Sequence, residues 1–401
     1  MLKVYKYRLY QNKEQQSFLN QNFGAVRFVW NKLVANFNSY STQGPNQPMS
    51  EKILKDMQEY SWLNDVISYA LQQKRIDFIE TKNQYFSKNR KIKIKKIKFK
   101  SKGNYDSFRI PATKLPKNSI SLDKGSIKLP KMSLMKMIVD KKFTGTPRNV
   151  TISRNPSGQY FVSILVEELI ELKQNTNRVV GIDLGLKDLV ITSNGTKFTN
   201  PKWFRENQSK LKVAQKHLSR KVKGSNRYNK QRVKVAKIYQ KISNQRNWYL
   251  HNISSWLVSN YDIIVTENLK VSNMVKNKKL SKSISDASWS KLVEQLKYKS
   301  TWYGKTFYKI DTYYPSSKTC SCCGHVADIL PLNIRNWVCS ECNTNHDRDL
   351  NASINILNKG LDDLYQLKSD ELTDYKCREE ISPLVLPKAH LMKRLVSFIE
   401  I

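Results

Sequence analysis

The chain has 401 residues, 39% of them apolar, enough for two to four compact units with real cores. Lys and Arg number 70 against 33 Asp and Glu, a net charge of +37 that repels itself and calls for a polyanionic partner, nucleic acid above all. The first twenty residues lack the apolar stretch of a secretory signal, and no run reaches the roughly 18 apolar residues of a spanning helix; no membrane partner is expected, and a cytoplasmic, nucleoid-associated protein of a prokaryote is.

Leu2 to Tyr10 alternates like a strand. Residues 13 to about 88 read as helices, with Phe18, Leu19, Phe23, Val26, Phe28, Val29, Trp30 and Leu33 at helical spacing and a second strong helix over Ile67 to Phe86. Gly44-Pro45 and Gln47-Pro48 break them. Residues 89 to 102 alternate Lys with Ile or Phe, which predicts a strand with one basic face toward phosphates. Lys98, Lys100, Lys102 and Arg109 are candidate contacts to nucleic-acid backbone. Residues 105 to 168 look all-β, with a clear hairpin of 149–154 and 159–166. Together with the first strand they suggest a small β-barrel into which the helices are inserted.

From Arg178 the pattern changes. Val179 to Gly185 is a buried strand with an acid in it, and Leu189 to Thr192 leads into a hairpin turn at Asn194-Gly195. Residues 206 to 260 read as two long basic helices split at 224–226, followed by a strand from Tyr261 to Glu267 and another from Gly304 to Asp311. A helix follows from Leu350.

Asp183 stands inside an apolar strand and Glu267 ends another, and an acid so placed is costly unless it faces a cation. Asp349 sits where a helix begins, where the helix dipole favours its charge. Two strands and a helix start can bring three acids to one sheet end, where they suit hard divalent cations and two-metal phosphodiester hydrolysis. Asp347 competes with Asp349 for the third place, and either acid also suits an N-cap.

Cys320 and Cys323 form one C-x-x-C pair and Cys339 and Cys342 a second, separated by 15 residues. That spacing predicts a tetrahedral four-cysteine zinc ribbon with Trp337 packed beneath, holding one structural Zn²⁺. Redox cysteines fit the doubled pair less well, and His325 and His346 are outside candidates as ligands.

These motifs carry a likeness. Tyr5 to Tyr10, Phe23 to Asn31, Gly181-Ile-Asp-Leu-Gly185, Thr266-Glu-Asn-Leu269, Tyr314 to Cys320 and His346 to Ala352 resemble the TnpB family, transposon-encoded RNA-guided endonucleases related to type V CRISPR effectors. The resemblance implies an α+β multidomain chain with four parts. Residues 1–12 and 103–175 would be a wedge β-barrel, 13–102 a helical recognition insertion, 176–316 with 346–401 an RNase H-like (RuvC) α/β nuclease domain, and 317–345 an inserted zinc ribbon. It implies catalytic Asp183, Glu267 and Asp349 with two Mg²⁺ ions, a guide RNA derived from the transposon end, target double-stranded DNA with a short adjacent motif, and a transposase encoded by the same element as a further partner. Departures are Lys131 to Lys136 in place of a usual Gly-Trp pair, Ser288 for Gly, and Ser353 for Ala; none removes an acid or a cysteine. A nuclease-inactive RNA-guided repressor and a guide-independent transposase remain the alternative readings.

Overall fold

The computed structural model describes residues 1–43, 50–87, 96–103, 106–331 and 333–376. Two compact units divide the chain: Met1–Leu172 with Trp203–Tyr249, and Lys173–Lys202 with the chain from Leu250 onward.

The first unit is built on β1 (Leu2–Tyr10), β2 (Asp106–Pro111), β3 (Ile120–Ser121), β4 (Ser126–Ile127), β5 (Met135–Ile138), β6 (Thr146–Arg154) and β7 (Tyr160–Glu167). They pair in the order β2-β6-β7-β1-β5-β4-β3, every pairing antiparallel. Alternation decides the inner face: Tyr5, Tyr7 and Leu9 of β1 and Tyr160, Val162, Ile164 and Val166 of β7 are buried. Three helices enter between β1 and β2: α1 (Lys13–Gln43), α2 (Glu51–Asp56) and α3 (Ser68–Phe86). Asn12 and Gln15 exchange side chain-to-backbone bonds at 2.8 and 3.0 Å, a capping box that starts α1. Phe23 of α1 then meets Phe108 of β2 at 5.3 Å.

Two expectations need correcting here. The described strands do not close into a barrel, because β2 and β3 each have a single neighbour and β3 and β4 are two residues long, too short to extend a ladder. Residues 89–95 of the expected basic strand lie outside the described residues, and 96–100 form no strand. Side chains of α1 hold that backbone instead: Trp30 Nε1 donates to the Lys98 carbonyl at 3.0 Å, and Asn31 bonds both the N–H (2.8 Å) and the C=O (3.0 Å) of Lys100. An alternating sequence cannot tell a ladder partner from a helix side chain.

The first unit also holds α4 (Trp203–Glu206), α5 (Gln208–Ser219) and the larger part of α6 (Asn226–Asn260). The break falls at Gly224, whose φ of +91° suits only glycine without strain, and Ser225 Oγ then accepts from the Tyr228 N–H at 3.1 Å as an N-cap.

The second unit contains β8 (Val179–Asp183), β9 (Asp188–Thr192), β10 (Lys197–Thr199), β11 (Ile263–Thr266) and β12 (Thr306–Lys309), in the order β10-β9-β8-β11-β12. The pairs β10–β9 and β9–β8 are antiparallel, whereas β8–β11 and β11–β12 are parallel. Between β11 and β12 run α7 (Val271–Met274), α8 (Ser281–Ala287) and α9 (Trp289–Tyr303). The two-stranded ribbon β13 (Asn336–Val338) and β14 (Asn345–Asp347) precedes α10 (Arg348–Lys376), which crosses β8 and β11. Among the described residues, no helix is long and apolar enough to cross a membrane.

Candidate active site and metal centre

Apolar burial fixes where the acids stand. Val180, Ile182, Ile264 and Val265 are all buried, which forces β8 and β11 into the middle of the sheet. Their parallel register runs from Ile263 opposite Val179 to Thr266 opposite Ile182. One step on, Asp183 and Glu267 leave the sheet side by side at the carboxyl ends of neighbouring strands, the edge at which open α/β sheets present their sites.

Asp349 arrives by a different route, in the first turn of α10. Asp347 Oδ1 accepts from the N–H groups of Asp349 (3.0 Å) and Leu350 (3.2 Å), so Asp347 is the helix cap, and its other oxygen meets Lys197 Nζ at 2.8 Å. Asp349 is left to face the strand ends, with Arg335 Nη1 against its carboxylate at 2.9 and 3.2 Å.

The charges are felt mutually. Burial, then the neighbouring charges of Glu267 and Asp349, push the Asp183 carboxyl up to about 8, against the opposing pull of the Leu184 N–H and Arg335. Burial also raises Glu267, against the hydrogen bond donated by Ser316 Oγ at 2.5 Å. The protein therefore gathers more negative charge here than its own cations offset, and an all-oxygen donor set of this kind fits a hard divalent cation. The three carboxylates are not packed as tightly as the cysteines, which among the described residues form the single His, Cys, Asp or Glu group with ligand atoms all within 4.8 Å of one another.

Residues that sequence reasoning left without a role tie this edge to α10. Asn355 Nδ2 donates to the carbonyls of Ser316 (2.8 Å) and Thr319 (2.6 Å). Asn351, one turn earlier, donates to Thr319 O at 2.7 Å and accepts from the Ser321 N–H at 2.9 Å. Both are buried. They fix the loop that carries Ser316, the partner of Glu267. The available signal was a pair of Asn four apart on an otherwise apolar helix face, where an unbonded amide would be costly.

The four cysteines converge as their spacing predicts. Cys320 and Cys342 sulfurs lie 3.6 Å apart, as do those of Cys323 and Cys339, and none is in a disulfide. Backbone bonds shape the two knuckles: the Cys320 N–H donates to His325 O at 2.7 Å and the Cys339 N–H to Thr344 O at 3.0 Å. Four thiols at this range suit Zn²⁺. Trp337 packs into the same cluster as Cys320 and Cys339. His346 stands 3.0 Å from Cys320 Sγ through Nε2, while His325 is turned toward Ser340 Oγ at 3.3 Å.

The four basic candidates separate. Lys98 and Lys102 are exposed. The Lys100 ammonium lies 3.9 Å from the Trp30 ring centroid, and desolvation, then the nearby Lys74 charge, pulls its pKa down to about 8. Arg109 is half-buried and holds Asp77 at 2.8 Å, an interaction inside the first unit.

Fold and site thus define an α/β protein with an acid cluster at the carboxyl ends of parallel strands and a four-cysteine ribbon set just before the helix that completes the cluster. Three family profiles match: a helix-turn-helix domain of the OrfB/IS605 type over residues 1–44, the IS605 OrfB family described as "Probable transposase" over 161–278, and a Cas12f1-like TNB domain over 289–356. A Streptomyces pristinaespiralis protein named as an RNA-guided DNA endonuclease is 38% identical over 372 residues, covering 90% of this chain and 89% of that one. An Escherichia coli K12 protein, InsQ, named likewise, is 32% identical over 383 residues, covering 90% and 92%. The chain belongs to the TnpB family. A solved Cas12f1 chain in complex with sgRNA and target DNA aligns over 86% of this chain and 83% of its own at 17% identity and a TM-score of 0.49, too distant to argue from.

Proposed function

We propose that the chain is an RNA-guided DNA endonuclease of a transposable element that hydrolyses phosphodiester bonds of target DNA beside a short adjacent motif. The observation that carries this reading is the placement of Asp183 and Glu267 at the ends of adjacent parallel strands, with α10 bringing Asp349 to them. The strand order, three antiparallel then two parallel about β8, supports an RNase H-like (RuvC) nuclease domain. The naming of relatives that share 90% of the chain supports the guided activity.

Asp183, Glu267 and Asp349 would hold two Mg²⁺ ions, which when bound supply an activated water and charge for the leaving oxygen. Ser316 orients Glu267 through its hydroxyl. Arg335 offsets part of the charge at Asp349. Cys320, Cys323, Cys339 and Cys342 would hold one structural Zn²⁺. Guide RNA from the transposon end would supply sequence specificity by base pairing, with Lys98 and Lys102 among the side chains free to meet its backbone or that of the target DNA. A transposase encoded by the same element would be a further partner. Residues 1–12 with 103–175, 13–102, 176–316 with 346–401, and 317–345 would be the wedge, recognition, nuclease and ribbon parts.

The test is expression together with flanking genomic DNA, sequencing of copurified RNA, and a Mg²⁺-dependent cleavage assay on a randomised target library. Asp183→Ala should retain RNA and lose cleavage. Wild-type-rate cleavage by that variant would remove the carboxylate assignment. A wild-type protein that cuts without any retained RNA would remove the guided reading.

A further inference from the structure

The segment from Trp203 to Tyr249 holds fourteen Lys and Arg against a single acid, Glu206. Within it, α6 has no Asp or Glu anywhere in its 35 residues. Five of its cations, Arg227, Lys230, Lys234, Lys237 and Lys241, recur at alternating steps of three and four, and Asn244 and Trp248 continue the series. Such steps hold side chains to one face of a helix. All seven are exposed, whereas Val235 and Ile242, round the helix, are buried in the first unit. At 1.5 Å rise per residue the five cations span about 21 Å, with neighbours about 5 Å apart. Trp248, at the end of the row, is 66% exposed.

An amphipathic helix needs only a solvated polar face, and mixed charges would serve that purpose better, because like charges three and four apart repel. An unbroken basic row ending in an exposed indole is therefore a cost that a bound polyanion offsets. Phosphates supply the counter-charge, and an unpaired base supplies a flat partner for the indole.

We propose that this row of α6 binds the sugar–phosphate backbone of the guide RNA, with an unpaired base stacked on Trp248. This rests on the RNA-guided reading. The guide is favoured over target DNA because the repulsion along α6 is permanent, and the guide is the polyanion that accompanies the protein between targets.

The experiment compares the wild type with Lys230→Gln/Lys234→Gln/Lys237→Gln/Lys241→Gln, with the same four positions changed to Arg, and with Trp248→Ala. The full chain and its copurified guide are used, and RNA affinity is measured across a salt series. Each cation that meets a single strand contributes about 0.7 to the slope of log affinity against log salt, so the Gln variant should lose about 3 from that slope while the Arg variant keeps it. Trp248→Ala should weaken binding several-fold with the slope unchanged. The RNA-free Gln variant should melt at or above the wild-type temperature, since the removed charges repel. An unchanged slope in the Gln variant overturns the proposal, as does an effect confined to target-DNA affinity of the loaded complex. A wild-type chain that retains no RNA overturns the guided reading and this proposal with it, a result distinct from both.

Discussion

Gly181 of β8 and Ser353 of α10 pass so close that a side chain cannot stand between them: a Cβ on Gly181 would lie 2.2 Å from the Ser353 carbonyl oxygen. Gly360 repeats the device one strand over, where a Cβ would meet Val265 Cγ1 at 2.3 Å. The two contacts seat α10 directly on β8 and β11, and that seating sets where Asp349 stands relative to Asp183.

Gly181→Ala should therefore lift α10 from the sheet. We expect overpacking to cost about 1–3 kcal/mol and, by misplacing Asp349 on the order of 1 Å, to lower DNA cleavage about 100-fold with guide retention unchanged. Denaturant melts and single-turnover cleavage read the two effects. Cleavage at the wild-type rate would mean that α10 seating does not govern the site.

Asp347 and Asp349 should separate by phenotype. Asp347→Ala removes the α10 cap and should lower stability by about 1 kcal/mol with only a modest loss of cleavage. Asp349→Ala should abolish cleavage and leave the melting transition near that of the wild type. The reverse pattern would exchange their roles.

Asp262 supplies a pH test away from the acids. Burial disfavours its carboxylate, but Lys305 Nζ at 2.5 Å and the N–H groups of Thr176 and Asn177 outweigh burial and hold its pKa below the usual 3.8. A depressed folded-state pKa gives stability that is present above the unfolded value and lost as pH falls through the folded one. The urea midpoint should thus hold above about pH 4 and drop below it. Lys305→Met leaves a buried carboxylate unpaired and should cost about 3–5 kcal/mol near neutral pH. An acid limb of the same steepness in wild type and variant would show that this pair does not control it.

Metal analysis of the purified chain should return one zinc per protein. Cys320→Ser/Cys323→Ser should lose it and loosen the loop that Asn351 and Asn355 tie to α10, seen as faster amide exchange across 316–323. A folded, active preparation without zinc would remove the ribbon's structural role.

The parts of this chain legible without coordinates are those whose chemistry is local. Asp183 and Glu267 stand out because an acid inside or at the end of an apolar strand is costly wherever that strand folds, and the four cysteines because ligand spacing along the chain already sets the geometry of two knuckles. The hairpin of β6 and β7, the turn at Asn194-Gly195 and the break at 224–226 follow from backbone preferences of a few residues. Tertiary structure alone decided what depends on chain segments meeting. Asp347 and Asp349 are indistinguishable as candidate caps until α10 begins and one of them receives its N–H groups. Ser316, Asn351 and Asn355 acquire roles only when a loop and a helix more than thirty residues apart touch. Arg109, basic and near other basic residues, looked free for phosphate until Asp77 was found beside it. The alternation of 96–100 suggested a ladder that α1 side chains replaced, and the expected barrel stayed an open sheet because strand length, unlike strand pattern, is settled by which partner lies alongside.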